Sequence, residues 1–213
     1  IAISTTLGAR GGLLVRDRRG LEEARNLDTV VFDKTGTLTE DRLVPAQITP
    51  LADADGRSAP TWLALAASLG TRSRHPLARA LAAAQETADA ARTPPGTGTA
   101  PDWQDVTEQA GAGLQARCAD TSTGQPEYWR LGSAAWCGLA TPGADAPARP
   151  AVWLARLDGV VWQPQVRFEF DEVMRADAPA AIARLQDQGL AVHVLSGDQP
   201  ASVAALLQRL ERL

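Results

Sequence analysis

The segment Thr29-Val30-Val31-Phe32 is apolar on both faces of a strand and ends in a carboxylate, Asp33. A strand with no polar face belongs in a parallel sheet covered by helices on both sides. In open α/β sheets, ligands bind at the carboxyl ends of the strands, and Asp33 occupies such an end. A second apolar run, LAVHVL at 190–195, appears far down the chain and leads into Ser196-Gly197-Asp198. Before it, Asp177 offers an N-cap, Ile182 and Leu185 give the helical period, and Gly189 supplies a stop. After it, Pro200 opens the helical pattern ASVAALLQRLERL.

Between these two α/β pieces the character changes. TWLALAASLG and HPLARALAAAQETADAAR read as two helices broken at Arg72 to Pro76, with Pro76 in the tolerant first turn of the second. WQDVTEQAGAGLQARC, EYWRLGS and AVWLARLDGVVW then read as short strands of a meander, separated by Gly- and Pro-rich loops. The expected architecture is an α/β domain of Rossmann-like order, incomplete here, interrupted by an inserted α+β domain with an antiparallel sheet. The expected boundaries are 21–42 and 163–213 for the α/β part and 43–162 for the insertion. Leu21, Ala24 and Leu27 are spaced for a short helix ahead of the first strand.

Composition excludes several classes. Lys34 is the only lysine among 21 basic residues, and it follows Asp33, so neither a Gly-x-x-x-x-Gly-Lys phosphate loop nor a kinase Val-Ala-Ile-Lys strand exists. Twenty-five acidic residues leave a formal charge of −4, which argues against a nucleic-acid partner. No run reaches the roughly 18 apolar residues of a membrane helix. Segment 1–20 carries Arg10, Arg16, Arg18 and Arg19, as the cytoplasmic end of a membrane helix does, and reads as a juxtamembrane segment. The start at Ile1, without Met, reads as an excised piece. Cys118 and Cys137 suit buried free thiols rather than a disulfide or a zinc site.

Asp33-Lys34-Thr35-Gly36-Thr37-Leu38-Thr39 is well suited to phosphoryl chemistry. Gly36 lets the backbone turn into an anion nest, and the hydroxyls of Thr35 and Thr37 add donors. Asp33 is then a covalent nucleophile, a facing polyanion calls for Mg2+, and Lys34 adds positive charge. Ser196, Gly197 and Asp198, at the second strand end, offer a hydroxyl and a helix N-terminus to the same phosphate. Thr35, two residues after the nucleophile, can neither protonate a leaving group nor activate water well, so an aspartyl-phosphate is expected to persist.

DKTGTLT at 33–39 resembles the phosphorylation motif of the P-type ATPases, within the haloacid-dehalogenase-like superfamily. LEEARNLDTVVFDKTGTLTE, SRHPLARAL at 73–81, Gly111-Ala112-Gly113 and Ser196-Gly197-Asp198 are similar to the heavy-metal-transporting branch, copper or silver in particular. The resemblance implies that Asp33 is phosphorylated by ATP, that His75 and Pro76 with Gly111 and Gly113 bind the nucleotide, and that Arg175 belongs to an Asp-x-x-Arg hinge whose acid is Asp171 or Glu172. Gly111 and Gly113 are expected to alternate on one strand face, where absent side chains admit the nucleotide.

The resemblance further implies a parent protein on the cytoplasmic face of a cell membrane. Transmembrane and actuator domains of the same chain, and a metal chaperone, are its expected partners. Two departures stand out. The Glu usual five positions before the His is Gly70, and the acid usual just before the His is Arg74, which implies weaker or relaxed base recognition. The family's later lysine and Gly-Asp-Gly-x-Asn-Asp loop do not occur, so the 213 residues alone are expected not to turn over ATP. No ligand for the transported metal is expected in this chain. The competing readings are a soluble dehalogenase-like phosphatase, which Thr35 disfavours, and a nucleotide-binding module without catalysis.

Overall fold

The computed structural model describes residues 19, 23, 26–51, 56–91, 100–120, 123–140, 147 and 149–196. Segment 1–18, most of the expected helix before the first strand, Gly197, Asp198 and the pattern from Pro200 onward lie outside the described residues. The described residues form two sheets. Strands β1 (Thr29–Asp33) and β8 (Ala191–Leu195) pair in parallel, with Val30 opposite Val192 and Asp33 opposite Leu195. The other sheet has six antiparallel strands in the order β2-β7-β6-β5-β4-β3. They are β2 (Thr39–Pro50), β3 (Gln104–Gln109), β4 (Gly113–Ala119), β5 (Pro126–Gly132), β6 (Ala151–Asp158) and β7 (Val161–Met174). Helices α1 (Ala59–Gly70) and α2 (Pro76–Ala90) precede the meander, and α3 (Ala178–Asp187) precedes β8. The mixed α/β order and the two helices followed by a meander match the sequence pattern.

The parallel pair departs from expectation in its burial. Phe32, Val192 and Val194 pack with Leu38, Met174, Ala178 and Ile182, so α3 covers one face. On the opposite face Val31 and Leu195 stay 57% and 67% exposed, and no described residue covers them. The α3 ends also show the limits of local signals. Asp177 occupies the N-cap position but its side chain makes no cap hydrogen bond. Gly189, at φ 83°, does close the helix: its N–H donates to Gln186 and that of Leu190 donates to Leu185, the paired bonds of a Schellman motif.

The larger core lies between the six-stranded sheet and the α1–α2 hairpin. Trp62 and Leu69 on α1, Leu81 on α2, Trp129 on β5, Leu154 on β6 and Phe168 and Phe170 on β7 are fully buried in it. Trp62 and Trp129 meet edge to face at 6.4 Å, and the Arg57 guanidinium lies over both rings. Buried alanines at 66, 67, 78 and 80 let the two helices approach closely. The approach is tightest at Gly70, where an added Cβ would stand 2.9 Å from the carbonyl oxygen of Ala78.

β2 and β7 carry the chain between the two sheets. Their ladder runs from Thr39 opposite Met174 to Pro50 opposite Val166, with irregularities between Thr39 and Leu43 and around Pro45. Neither strand breaks at the expected boundaries near 42 and 163. β2 is an edge strand, which lets Pro45 sit within it despite its missing donor.

A third cluster gathers Cys137, Trp153, Ala134 and Ala155. Beside it Arg130 is sandwiched between Trp136 and Trp162, its guanidinium carbon 3.9 and 4.1 Å from the ring centroids. Burial pushes the Cys137 thiol up from 9.0 to about 12. The raised value favours the neutral thiol in the folded chain, so its contribution is intact below pH 9 and is lost as pH rises toward 12. Denaturant titrations should therefore show stability falling more steeply over this window than in Cys137→Ala, by about 1.4 kcal/mol per pH unit.

Candidate functional site

Asp33 ends β1 and is exposed, and its side chain makes no cap hydrogen bond to the loop that follows. Because Asp33 is opposite Leu195, half-buried Ser196 lies one step beyond it on the neighbouring parallel strand. The two strand ends expected to meet therefore do. The loop Lys34–Leu38 turns at Gly36. Thr35 (φ −75°, ψ 124°) and Gly36 (φ 75°, ψ −9°) are the central residues of a type II turn, which needs a left-handed residue at its second position. Thr35 and Thr37 are exposed beside Asp33 in sequence.

Lys34 is placed differently from the phosphate-facing role expected of it. It is buried, and its Nζ lies 3.1 Å from Glu172 Oε1 on β7. The other oxygen of that carboxylate, Oε2, accepts from the Thr39 hydroxyl at 2.7 Å. The same Thr39 oxygen lies 3.2 Å from the Lys34 carbonyl and accepts from the Gly36 N–H at 3.4 Å. Thr39 N–H donates to the Lys34 carbonyl as well. One carboxylate thus fastens both ends of the loop that carries Asp33. Of the two acids considered for the hinge, Glu172 makes this contact, while Asp171 pairs with Arg149 at 3.0 Å. Arg175 is exposed, and its backbone N–H donates to the Leu38 carbonyl at 2.9 Å.

The second feature is a cavity of about 560 Å³ at the start of α2. Ser73, His75 and Leu77 line one side, Glu108 to Leu114 another, and Leu131 to Ser133 with Ala151 and Val152 the rest. His75 and the two glycines of the 111–113 segment are therefore brought together, although they lie far apart in sequence. Pro76 opens α2, and His75 is its N-cap: Nδ1 accepts from the Leu77 N–H at 3.3 Å, leaving Nε2 to carry the proton of the neutral ring.

The glycines do not alternate on a strand face as expected. Gly111 lies in the turn between β3 and β4 at φ 73°, with nothing near the position a Cβ would take. Gly113 begins β4 opposite Gly132, and a Cβ on it would stand 2.3 Å from the Leu131 carbonyl oxygen. The missing side chain at Gly113 admits the neighbouring backbone, and Gly113 also lines the cavity. Gly132 is constrained in the same way by Ala112.

Glu108, Ser73, Gly132 and Ser133 reach the cavity without having been singled out from sequence for a role there. Ser73 Oγ donates to Glu108 Oε1 at 2.6 Å and accepts from the His75 N–H at 3.0 Å. Only pairing through the β3–β4 hairpin brings Glu108 to this point. Gly70, which stands where the family usually has an acid, is buried against α2 and does not line the cavity.

Residues 27–212 match the family model for haloacid dehalogenase-like hydrolases. Relatives include the probable copper-transporting ATPase SynA of Synechococcus elongatus, 37% identical over 99% of this chain and 24% of the relative. The copper-exporting P-type ATPase of Mycobacterium tuberculosis is 33% identical over 97% and 25%. The chain thus spans about a quarter of the length of these relatives. Among solved structures, a zinc-transporting PIB-type ATPase in its E2.Pi state aligns with TM-score 0.67 and 26% identity over 96% of this chain and 31% of that one. The catalytic domain of the CPx-ATPase CopB-B shares the fold at TM-score 0.63, with 21% identity over 92% and 65%.

The chain belongs to the haloacid dehalogenase-like hydrolases. Within them it is a catalytic region of the heavy-metal-transporting P-type ATPases. The Glu172 contact generates a test on this chain. Glu172→Ala strands the buried Lys34 ammonium and should lower unfolding free energy by about 2–3 kcal/mol, less than for a wholly buried pair because Glu172 keeps some exposure. Adding Lys34→Met should restore part of that loss, as chemical denaturation of the single and double variants would show.

Proposed function

We propose that this chain is the ATP-binding and phosphoryl-accepting part of an ATP-driven heavy-metal pump, on the cytoplasmic face of a membrane. The observation that carries the reading is Asp33, exposed at the carboxyl end of a parallel strand beside Ser196, on a loop tied to a strand of the sheet that also builds the cavity. The cavity lies within the roughly 300–1,000 Å³ typical of small-molecule sites and would take the adenosine end of ATP.

In the transfer step an Asp33 carboxylate oxygen attacks the γ-phosphorus. The bond from that phosphorus to the β,γ-bridging oxygen breaks, and ADP leaves with the electron pair. The product is an acyl phosphate on Asp33, and no proton need move. Ser196 and the exposed hydroxyls of Thr35 and Thr37 would donate to the transferred group, and Gly197 and Asp198, next in the sequence, are proposed to serve the same phosphate. Thr35 provides no carboxyl to activate water, so the intermediate would outlast the departure of ADP.

The donors present suit Mg2+. Asp33 gives one carboxylate and Thr35 hard oxygen atoms, and Mg2+ typically takes one or two carboxylates together with substrate phosphates. Among the described residues no group of three His, Cys, Asp or Glu side chains forms a cage for a softer metal. Bound there, Mg2+ would offset phosphate charge, a task for which Lys34 is poorly placed while it faces Glu172.

Copper is the proposed cargo, since SynA and the mycobacterial relative are both named for it. Its ligands, the transmembrane and actuator domains and any metal chaperone would be partners of the phosphorylation cycle, with Arg175 at the hinge between the two sheets. No described helix is long and apolar enough to cross a membrane.

The test uses the full-length parent protein and ATP labelled at the γ-phosphate. An acid-stable, hydroxylamine-sensitive phosphoprotein should form, and Asp33→Asn should abolish it. His75→Ala should weaken ATP binding about tenfold while leaving the acceptor intact. Label retained after the Asp33→Asn substitution would overturn the assignment.

A further inference from the structure

Outside the phosphoryl site, the cavity holds a carboxylate with no role so far. Glu108 is fixed by the Ser73 hydroxyl, which donates to its Oε1 at 2.6 Å, and the same Ser73 oxygen accepts the His75 N–H at 3.0 Å. Ser73 thus spends its proton on Glu108, and the second carboxylate oxygen, Oε2, has no partner assigned in that network. A carboxylate accepts hydrogen bonds and donates none. Its natural complement is a ligand N–H.

The rest of the lining narrows what that ligand group is. Among the described residues no lysine or arginine lines the cavity, and most of its wall is alanine, glycine, leucine and valine. A triphosphate would lose its hydration there without compensation, so the end of a nucleotide that enters is the uncharged base. His75, with Nδ1 engaged by Leu77, offers an Nε2–H donor from the same side. An acceptor beside a donor suits the 6-amino group and ring nitrogens of adenine.

We infer that Glu108 is the base-selecting residue of this chain, accepting a hydrogen bond from the adenine 6-amino group, with Ser73 as the positioning residue that aims it. The assignment rests on the reading that the cavity binds ATP. Its position explains how a chain with no room for a side chain at Gly70 still presents one carboxylate to the base. Glu108 is exposed, so water can still reach its carboxylate when a base lacks the amino group, and the discrimination comes chiefly from the charge-assisted hydrogen bond that only adenine makes.

Calorimetric titration of the 213-residue chain decides the matter, with ATP and with purine riboside 5′-triphosphate, which is ATP without the 6-amino group. The wild-type chain should prefer ATP about tenfold or more. Glu108→Ala should weaken ATP binding to the level of the analogue and leave the analogue itself nearly unchanged. Glu108→Gln, which keeps size and an acceptor oxygen, should retain an intermediate preference, and its circular dichroism guards against misfolding. Ser73→Ala should lower the preference without removing it. If both ligands bind and Glu108→Ala leaves their ratio unaltered, the base-selecting role falls and ATP binding by the cavity stands. If the wild-type chain binds neither ligand, both fall together.

Discussion

The ion pair between Lys34 and Glu172 is the contact on which the rest of the arrangement depends. Lys34 follows Asp33 directly, and Glu172 lies on β7, deep in the other sheet's connectivity. Burying an ammonium is costly unless a carboxylate meets it and the leftover acceptors are filled. Here Thr39 fills one, at 2.7 Å, and also receives the Gly36 N–H. The loop's conformation is thereby fixed at both ends by a residue 133 positions from Thr39. This also gives a reason for one lysine in a chain whose other basic residues are arginine. The site takes a compact point charge on an unbranched stem, whereas a planar guanidinium needs a wider, flatter set of acceptors.

The same pair gives β2 and β7 a double duty. They form the edge of the six-stranded sheet, and they also lead straight into the Asp33 loop and into Arg175, whose N–H closes on Leu38. Two strands joined by a ladder resist shear along their length but bend where the ladder is irregular, and the irregularities lie between Thr39 and Leu43 and at Pro45.

Local pattern sufficed for much of the fold. The apolar run before Asp33, the Pro76 helix start, the Gly189 stop and the short strands of the meander are each specified by neighbouring residues, and each is found. What local pattern missed has a common cause. Gly113 and Gly70 are glycine because backbone from β5 and α2 occupies the space beside them, and that backbone comes from elsewhere in the sequence. Glu172 and Asp171 are adjacent acids, and only the partners across the fold, Lys34 for one and Arg149 for the other, tell them apart. Asp177 had the right residue type for a cap, yet type alone does not place its side chain. Asp33, the proposed phosphoryl acceptor, was legible because its motif is contiguous. Glu108 was not, because its relation to Ser73 spans 35 positions.

In the proposed function the two halves of the site would divide the chemistry in a way their composition explains. The cavity wall is almost free of charge and suits a flat, weakly hydrated base, whose burial supplies affinity through apolar area and whose edge is read by few polar groups. The Asp33 end is exposed, rich in hydroxyls, and suits a group that must stay hydrated or cation-bound until it reacts. The wall that suits the base does not suit the phosphates, because the low dielectric that sharpens reading of the base penalises charge without a compensating cation. Separating them calls for a connection that carries position, and a pair of hydrogen-bonded strands anchored by a partly buried ion pair satisfies that requirement. Lys34, next to Asp33 and facing Glu172, places its charge where it holds the connection in register.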